Sequence, residues 1–125
     1  MAEVTAVLET GEKEVVRVKP GTHTFFIKLV DLPNTYVTIY KCVGGRCKKL
    51  IDTVTDEQGI VSFIDTVQGL STIAYRFRLP DGRVFAELHV VPVIIDAEEA
   101  VRKVYSLLEV ILQGLLLKMP FKTWR

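Results

Sequence analysis

The sequence is poor in the residues that catalysis and cofactor binding lean on. It has two histidines (His23 and His89), two cysteines, two methionines, one tryptophan and a single asparagine, Asn34. No G-x-S-x-G element exists to lift a serine onto a nucleophile elbow, so a Ser-His-Asp constellation lacks its first member. No C-x-x-C redox motif occurs, and two cysteines supply only half of the ligands that a structural zinc needs. Neither sign of charge is in excess: 16 Lys and Arg stand against 15 Asp and Glu, and a net charge of +1 gives no overall pull toward nucleic acid or an acidic membrane. No apolar run reaches the ~20 residues of a bilayer-spanning helix. The longest candidate, residues 104–117, is interrupted by Ser106, Glu109 and Gln113. The opening MAEVTAV has no basic stretch ahead of an apolar one, so no secretory signal is expected and a cytoplasmic or virion-associated location is favoured. These absences together predict a non-enzymatic protein with no cofactor, no metal and no small-molecule substrate.

What is present is enough for one core. The chain has 125 residues, 49% hydrophobic and 25% charged, which is the composition of a folded domain and not of a disordered tail. Few thermolabile residues combined with abundant Val, Ile, Leu, Lys and Glu is a hyperthermophile tendency, and a protein of such an archaeon or its virus fits it.

Period-two alternation with turn punctuation covers the first ~95 residues. Strands are expected at 4–9, 15–19, 22–30, 35–43, 46–52, 60–64, 72–79 and 84–93. His23, Phe25, Ile27 and Leu29 share one face of the third. Val37 and Ile39 oppose Tyr36, Thr38, Tyr40 and Cys42 on the fourth. Ile73, Tyr75, Phe77 and Leu79 oppose Arg76 and Arg78 on the seventh. Pro20-Gly21, Leu32-Pro33-Asn34 and Pro80-Asp81-Gly82 are breaks, and Pro92 belongs at an edge or a strand end. Seven or eight short strands at this spacing predict a mainly β fold, an antiparallel two-sheet sandwich over residues 1–95. Within it, TVTDEQGIVSF followed by YRFRLPDGRVFAELHV resembles the end of small Ig-like or transthyretin-like repeats, where a T-D-x-x-G turn opens one strand and a D-G turn joins the last hairpin. That resemblance covers about a third of the chain and implies an Ig-like fold; it implies no activity, because such domains serve many roles. The Cys…Trp…Cys spacing of true immunoglobulin domains is missing, the one tryptophan being Trp124.

Gly44-Gly45 between two strand-like runs is the signature of a two-residue hairpin. In that register Val43 faces Arg46, and Cys42 faces Cys47 at a non-hydrogen-bonded position where side chains approach closely. A cross-strand disulfide is reachable there, as are two reduced, half-buried thiols. Lys41, Arg46, Lys48 and Lys49 cluster on the same hairpin, as a basic finger for phosphates or an acidic partner, or as a solvated, charge-protected tip. With so small a net charge, nucleic-acid binding is the lesser expectation. His23 and His89 read as structural. Asp52, Asp56 and Asp65 are candidates to gather at one end of the sandwich, although turn and strand-end solvation accounts for them more simply.

From Asp96, a good N-cap, a helix is expected over 97–118, roughly 33 Å long at 1.5 Å per residue. Glu98 with Arg102 and Glu99 with Lys103 are i,i+4 pairs in the favourable order, and Pro120 marks the stop. Ala97, Val101, Val104, Leu108, Ile111 and Leu115 follow 4-3-4-3-4 spacing, a heptad seam. A polar stripe of Glu98, Arg102, Ser106, Glu109 and Gln113 stops at Gln113, while Ala100, Leu107, Val110 and Leu112 widen the apolar side. The domain organisation expected is thus a sandwich (1–95), a helix (96–119) packed on the sandwich or on a partner, and a short tail (120–125). Three covers for the helix are open: the home sandwich, a second copy of the chain, or a membrane interface. Self-association is preferred, with Val104, Leu108, Ile111, Leu112, Leu115, Leu116, Leu117 and Met119 as the interface.

Overall fold

The computed structural model describes residues 2–93 and 97–118, and within the helix the side chains of residues 100–115. Eight strands precede one helix: β1 (Ala2–Leu8), β2 (Lys13–Val18), β3 (Gly21–Leu29), β4 (Tyr36–Val43), β5 (Arg46–Val54), β6 (Ile60–Val67), β7 (Ile73–Arg78), β8 (Val84–Pro92) and α1 (Ala97–Lys118). The chain divides into two compact units, Met1–Ile94 and Ile95–Arg125.

The first unit is a two-sheet sandwich. One sheet has the order β1-β3-β6 and the other β2-β8-β7-β4-β5. Alternation along each strand sends one side chain in two inward. Phe25, Ile27 and Leu29 of β3 meet Val37 and Ile39 of β4 and Tyr75 and Phe77 of β7 in a single core. Its aromatic centre is Phe25 stacked on Phe63 at 4.8 Å between centroids, with Tyr75 tilted against both. Each buried side chain of this size withdraws about 1.5–3 kcal/mol of apolar surface from water, so the alternation read from the sequence is also the energetic reason for the fold.

Four strand pairs run antiparallel as expected; β1–β3 and β2–β8 run parallel. The cause is the turn after β1. Glu12 N–H donates to Glu9 O and Gly11 N–H to Phe85 O, which carries the chain from the first sheet to the second instead of folding it back as a hairpin. Each strand then meets a partner it reaches only by crossing over, and crossover pairs are parallel. Pro92 ends β8, where its missing N–H is tolerated. The lone asparagine, Asn34, takes a left-handed conformation (φ 48°) in the turn before β4, a conformation that asparagine tolerates better than most residues.

The hairpin joining β4 and β5 has Gly44 at φ 58° and Gly45 at φ 81°, as a two-residue turn with both central residues left-handed requires. One residue is extra on β5: Ile39 pairs with Ile51 and Tyr40 with Lys49, so Leu50 bulges between them.

Candidate functional site

Three sets of residues carry the chemistry that the sequence singles out. The first is α1. Val101, Val104, Tyr105, Leu107, Leu108, Val110, Ile111, Leu112 and Leu115 are all between 45% and 66% exposed along one helix. At 100° per residue, the apolar side chains from Val110 round to Tyr105 span roughly 220° of the helix circumference, broken once by Lys103 between Val110 and Leu107. Arg102, Ser106, Glu109 and Gln113 occupy the remaining strip. Within the apolar arc, Val101, Val104, Tyr105 and Leu108, with Ala100 beside them, line a shallow depression. Their spacing is i, i+3, i+4, i+7, the four-residue hole that receives a side chain of a facing helix in coiled-coil packing. Of the expected interface, Val104, Leu108, Ile111, Leu112 and Leu115 are exposed side by side on this helix. The side chains of Leu116 and Leu117 lie outside the described residues, as do Met119, the cap Asp96, the side chains of Glu98 and Glu99, and the aromatic tail. No helix among the described residues is long and apolar enough to cross a membrane.

The second set is the β4–β5 hairpin. Cys42 and Cys47 are cross-strand partners with Cα atoms 4.0 Å apart and sulfur atoms at disulfide distance. Arg76 Nη1 approaches Cys47 Sγ at 3.7 Å from the neighbouring strand. The four basic residues are brought around one groove: Lys41, Arg46, Lys48 and Lys49 line it together with Val43, Leu50 and, from the other sheet, Asp65. They do not act alike. Lys49 Nζ is bound to Asp52 Oδ2 at 2.8 Å. The hydrogen bond and charge of Asp52 raise the Lys49 ammonium above its ordinary value, and hydrogen bonds from Lys49 and Thr38 lower the Asp52 carboxyl. Lys41 turns inward instead.

Lys41 belongs to the third set, a polar bridge between the sheets that the sequence reading missed. Asp65 of β6 accepts the Tyr75 hydroxyl at 2.6 Å and pairs with Lys41 Nζ at 2.7 Å, and Lys41 also donates to Thr66 O at 3.2 Å. Tyr75 is completely buried. Burial, followed by its bond to Asp65 and the charge there, pushes the phenol far above its ordinary value. The bridge depends on the long-range register: Lys41 pairs with Tyr75 across β4–β7, so a cation and a hydroxyl stand together on the inner face.

The carboxylates that were candidates to gather do not share a site. Asp52 sits with Thr38 and Lys49. Asp56 accepts the backbone N–H of Gln58 and Ile60 within its own turn, and Asp65 bridges the sheets. Among the described residues no group of His, Cys, Asp and Glu is arranged to hold a metal ion. Turn and strand chemistry uses each carboxylate locally, which leaves none to converge.

The histidines are structural in different ways. His23 is 5% exposed, shares a hydrogen bond between its Nε2 and Lys19 O at 2.6 Å and leaves Nδ1 without a partner among the described residues. His89 lies 3.6 Å from Glu87 on the outer face of the larger sheet. Burial pushes the Glu87 carboxyl up, but the bond and charge of Arg76, with His89 and Lys13, outweigh it and hold the group below the usual carboxylate range. Arg76 and Arg78 are exposed, opposite the apolar face of β7, and Arg76 pairs with the buried Glu87 at 2.6 Å. Among the described residues neither histidine stands beside a nucleophile: His23 faces a carbonyl and His89 a carboxylate.

Comparison with known protein families, with curated proteins and with solved structures found nothing that this chain matches.

Proposed function

We propose that this chain is a non-enzymatic structural or interaction protein that self-associates through α1 and displays its sandwich on the resulting assembly. One observation carries the reading: the apolar arc of α1 is exposed along its described length, with nine large apolar side chains at 45–66%. Each of these is about half exposed, so covering it contributes roughly half of the 1.5–3 kcal/mol of a full burial. A monomer would forgo that against a total stability of only about 5–15 kcal/mol. Heptad spacing and a hole of i, i+3, i+4, i+7 geometry favour a second copy of the same helix as the cover, since a self-complementary seam closes by symmetry. In the same reading Cys42 and Cys47 form an oxidised pair that staples the edge hairpin.

The test is the mass of the full chain in solution by multi-angle light scattering. A mass at a whole multiple of 14.1 kDa is expected. A monomer at micromolar concentration overturns the reading.

A second reading has its own observation. Leu107, Val110 and Leu112 lie outside the heptad seam yet are 57–66% exposed, which makes the apolar arc wider than a two-helix contact needs. A helix of that kind also fits the interface of a membrane. Co-sedimentation of the full chain with liposomes supports this peripheral-membrane reading; a chain that stays in the supernatant removes it.

A further inference from the structure

The hairpin cations are not needed for the assembly proposed above, and their placement has a cost that the fold does not explain. Strand β5 is an edge of the five-stranded sheet and β6 an edge of the three-stranded one. A groove of about 410 Å³ opens between them. Lys41 and Lys48 are direct cross-strand partners, so both side chains stand on the inner face of the sheet. Like charges directly opposite one another destabilise a strand pair. Lys41 is compensated by Asp65, 2.7 Å away, and the same Asp65 oxygen also accepts the Tyr75 hydroxyl. Arg46, one pair further along the same face, and Lys48 have no counter-charge among the described residues. Lys49, bound to Asp52, already places a charge on this edge strand, which is enough to discourage edge-to-edge pairing. The floor of the groove is apolar: Val43, and Leu50, which the β-bulge turns out of the regular alternation. Arg46 and Lys48, two cations on one face without a counter-ion among the described residues and above an apolar floor, break a rule of sheet design locally, and such breaks mark binding sites more than they mark scaffolding.

We propose that this groove binds a small organic anion, a phosphate or carboxylate group carrying a short apolar part. The anionic group sits between the Arg46 guanidinium, whose planar fork suits either oxyanion, and the Lys48 ammonium. The Lys41–Asp65 pair closes the inner end of the groove, and the apolar part lies on Val43 and Leu50. The volume is that of a small-molecule site and is too small for a folded partner.

The test uses the full-length, isotope-labelled chain in low salt, titrated with phenyl phosphate, with benzoate and with phenol as the uncharged control, and followed through backbone amide shifts. Saturable shifts confined to the β4–β5 hairpin and the neighbourhood of Asp65 are expected, with phenol giving none. Saturation by phenyl phosphate alone assigns a phosphate ligand, by benzoate alone a carboxylate, and by both a site for either oxyanion. Arg46→Glu combined with Lys48→Glu abolishes saturation, and the milder Lys48→Gln weakens binding about tenfold, the effect of losing one charge-assisted contact. Lys28→Glu, which alters an exposed cation on β3, leaves the affinity unchanged. All three positions are exposed, so the fold survives these changes, and amide shifts elsewhere in the spectrum verify it. Absence of saturable shifts with either anion, equal shifts with phenol, or binding that survives loss of both cations overturns the proposal. None of these outcomes depends on whether α1 self-associates.

Discussion

Tyr75 donates its hydroxyl to Asp65 across the two sheets at 2.6 Å, although the Tyr75 residue has no exposed surface at all. The bond explains how a phenol is tolerated beside Phe25 and Phe63: its polar end leaves the core through a carboxylate that Lys41 neutralises. Tyr75→Phe keeps the ring and loses the bond. It is expected to destabilise the sandwich by about 1–2 kcal/mol in urea unfolding. It should also change the alkaline limb. The folded phenol is held above its ordinary value while the unfolded one titrates near about 10. The unfolded chain therefore releases its proton first, and stability present below about pH 10 is lost as the pH rises beyond it. The fall should be shallower in Tyr75→Phe. Identical alkaline slopes in the two proteins would show that burial and the bond to Asp65 do not hold the phenol neutral.

Much of the sandwich was legible because its signal is local. Alternation at Phe25, Ile27 and Leu29 and at Ile73, Tyr75 and Phe77 identifies the inner faces, and all six side chains are buried. Gly44-Gly45 fixed a register in which Cys42 meets Cys47. The parallel pairing of β1 and β2 was not legible. A Thr-Gly turn between two short strands reads as a hairpin, and only the long-range bond of Gly11 to Phe85 turns the chain toward the other sheet. The Lys41–Asp65–Tyr75 bridge was missed for a related reason. It joins strands far apart in sequence, and each of its members, taken alone, reads as a surface charge or a core aromatic. The basic cluster was visible as composition. Its division into an outward Lys49 and inward Lys41 and Lys48 follows from the register and the bulge at Leu50.

Gly59 ends the T-D-E-Q-G turn with φ +82°, and a Cβ there would lie 2.5 Å from Leu29 O. The carbonyl cannot retreat, because Gly59 O accepts the Leu29 N–H at 2.8 Å and ties the turn to the end of β3. Gly59→Ala is thus penalised twice, by a left-handed backbone and by a backbone contact. A loss of about 2 kcal/mol or more is expected. Gly82, with φ +92° and open space around it, supplies the comparison. Gly82→Ala should lose only the conformational part, about 1 kcal/mol. Equal losses at the two positions would mean that the Leu29 contact is relieved by relaxation.

Cys42 and Cys47 close a loop with a sequence separation of 5, so an oxidised pair constrains little of the unfolded chain. The loop-closure relation gives about 2 kcal/mol for a ring of this size. Alkylation of the folded and then denatured chain without reductant, read by mass spectrometry, should leave both sulfurs unmodified. With reductant, two modified thiols are expected, together with a fall in stability of about 2 kcal/mol and no loss of the sandwich, since neither the aromatic core nor the inter-sheet bridge involves the pair. Two alkylated thiols in the unreduced protein would refute the oxidised state.

The helix prediction separates self-association from mere stickiness. Leu108 and Ile111 lie on the heptad seam, and Leu108 also lines the hole with Val101, Val104 and Tyr105. Leu107 and Val110 lie beside the seam, and they are the more exposed residues, at 61% and 66% against 48% and 47%. If the apolar arc associates through a coiled-coil register, Leu108→Glu with Ile111→Glu places charges at the centre of the contact. The full chain should then fall to the monomer mass in light scattering. Leu107→Glu with Val110→Glu removes more exposed apolar surface and adds as much charge, but it leaves the seam intact, and the assembly should persist. Non-specific clustering predicts the opposite ordering, because it follows exposed apolar area, and that area is larger at Leu107 and Val110. The sandwich should unfold at an unchanged urea midpoint in both variants, since the buried residues of its core all lie between Val4 and Val90. A seam variant that stays assembled while the flanking variant dissociates would exclude the heptad register and leave the helix to a different cover.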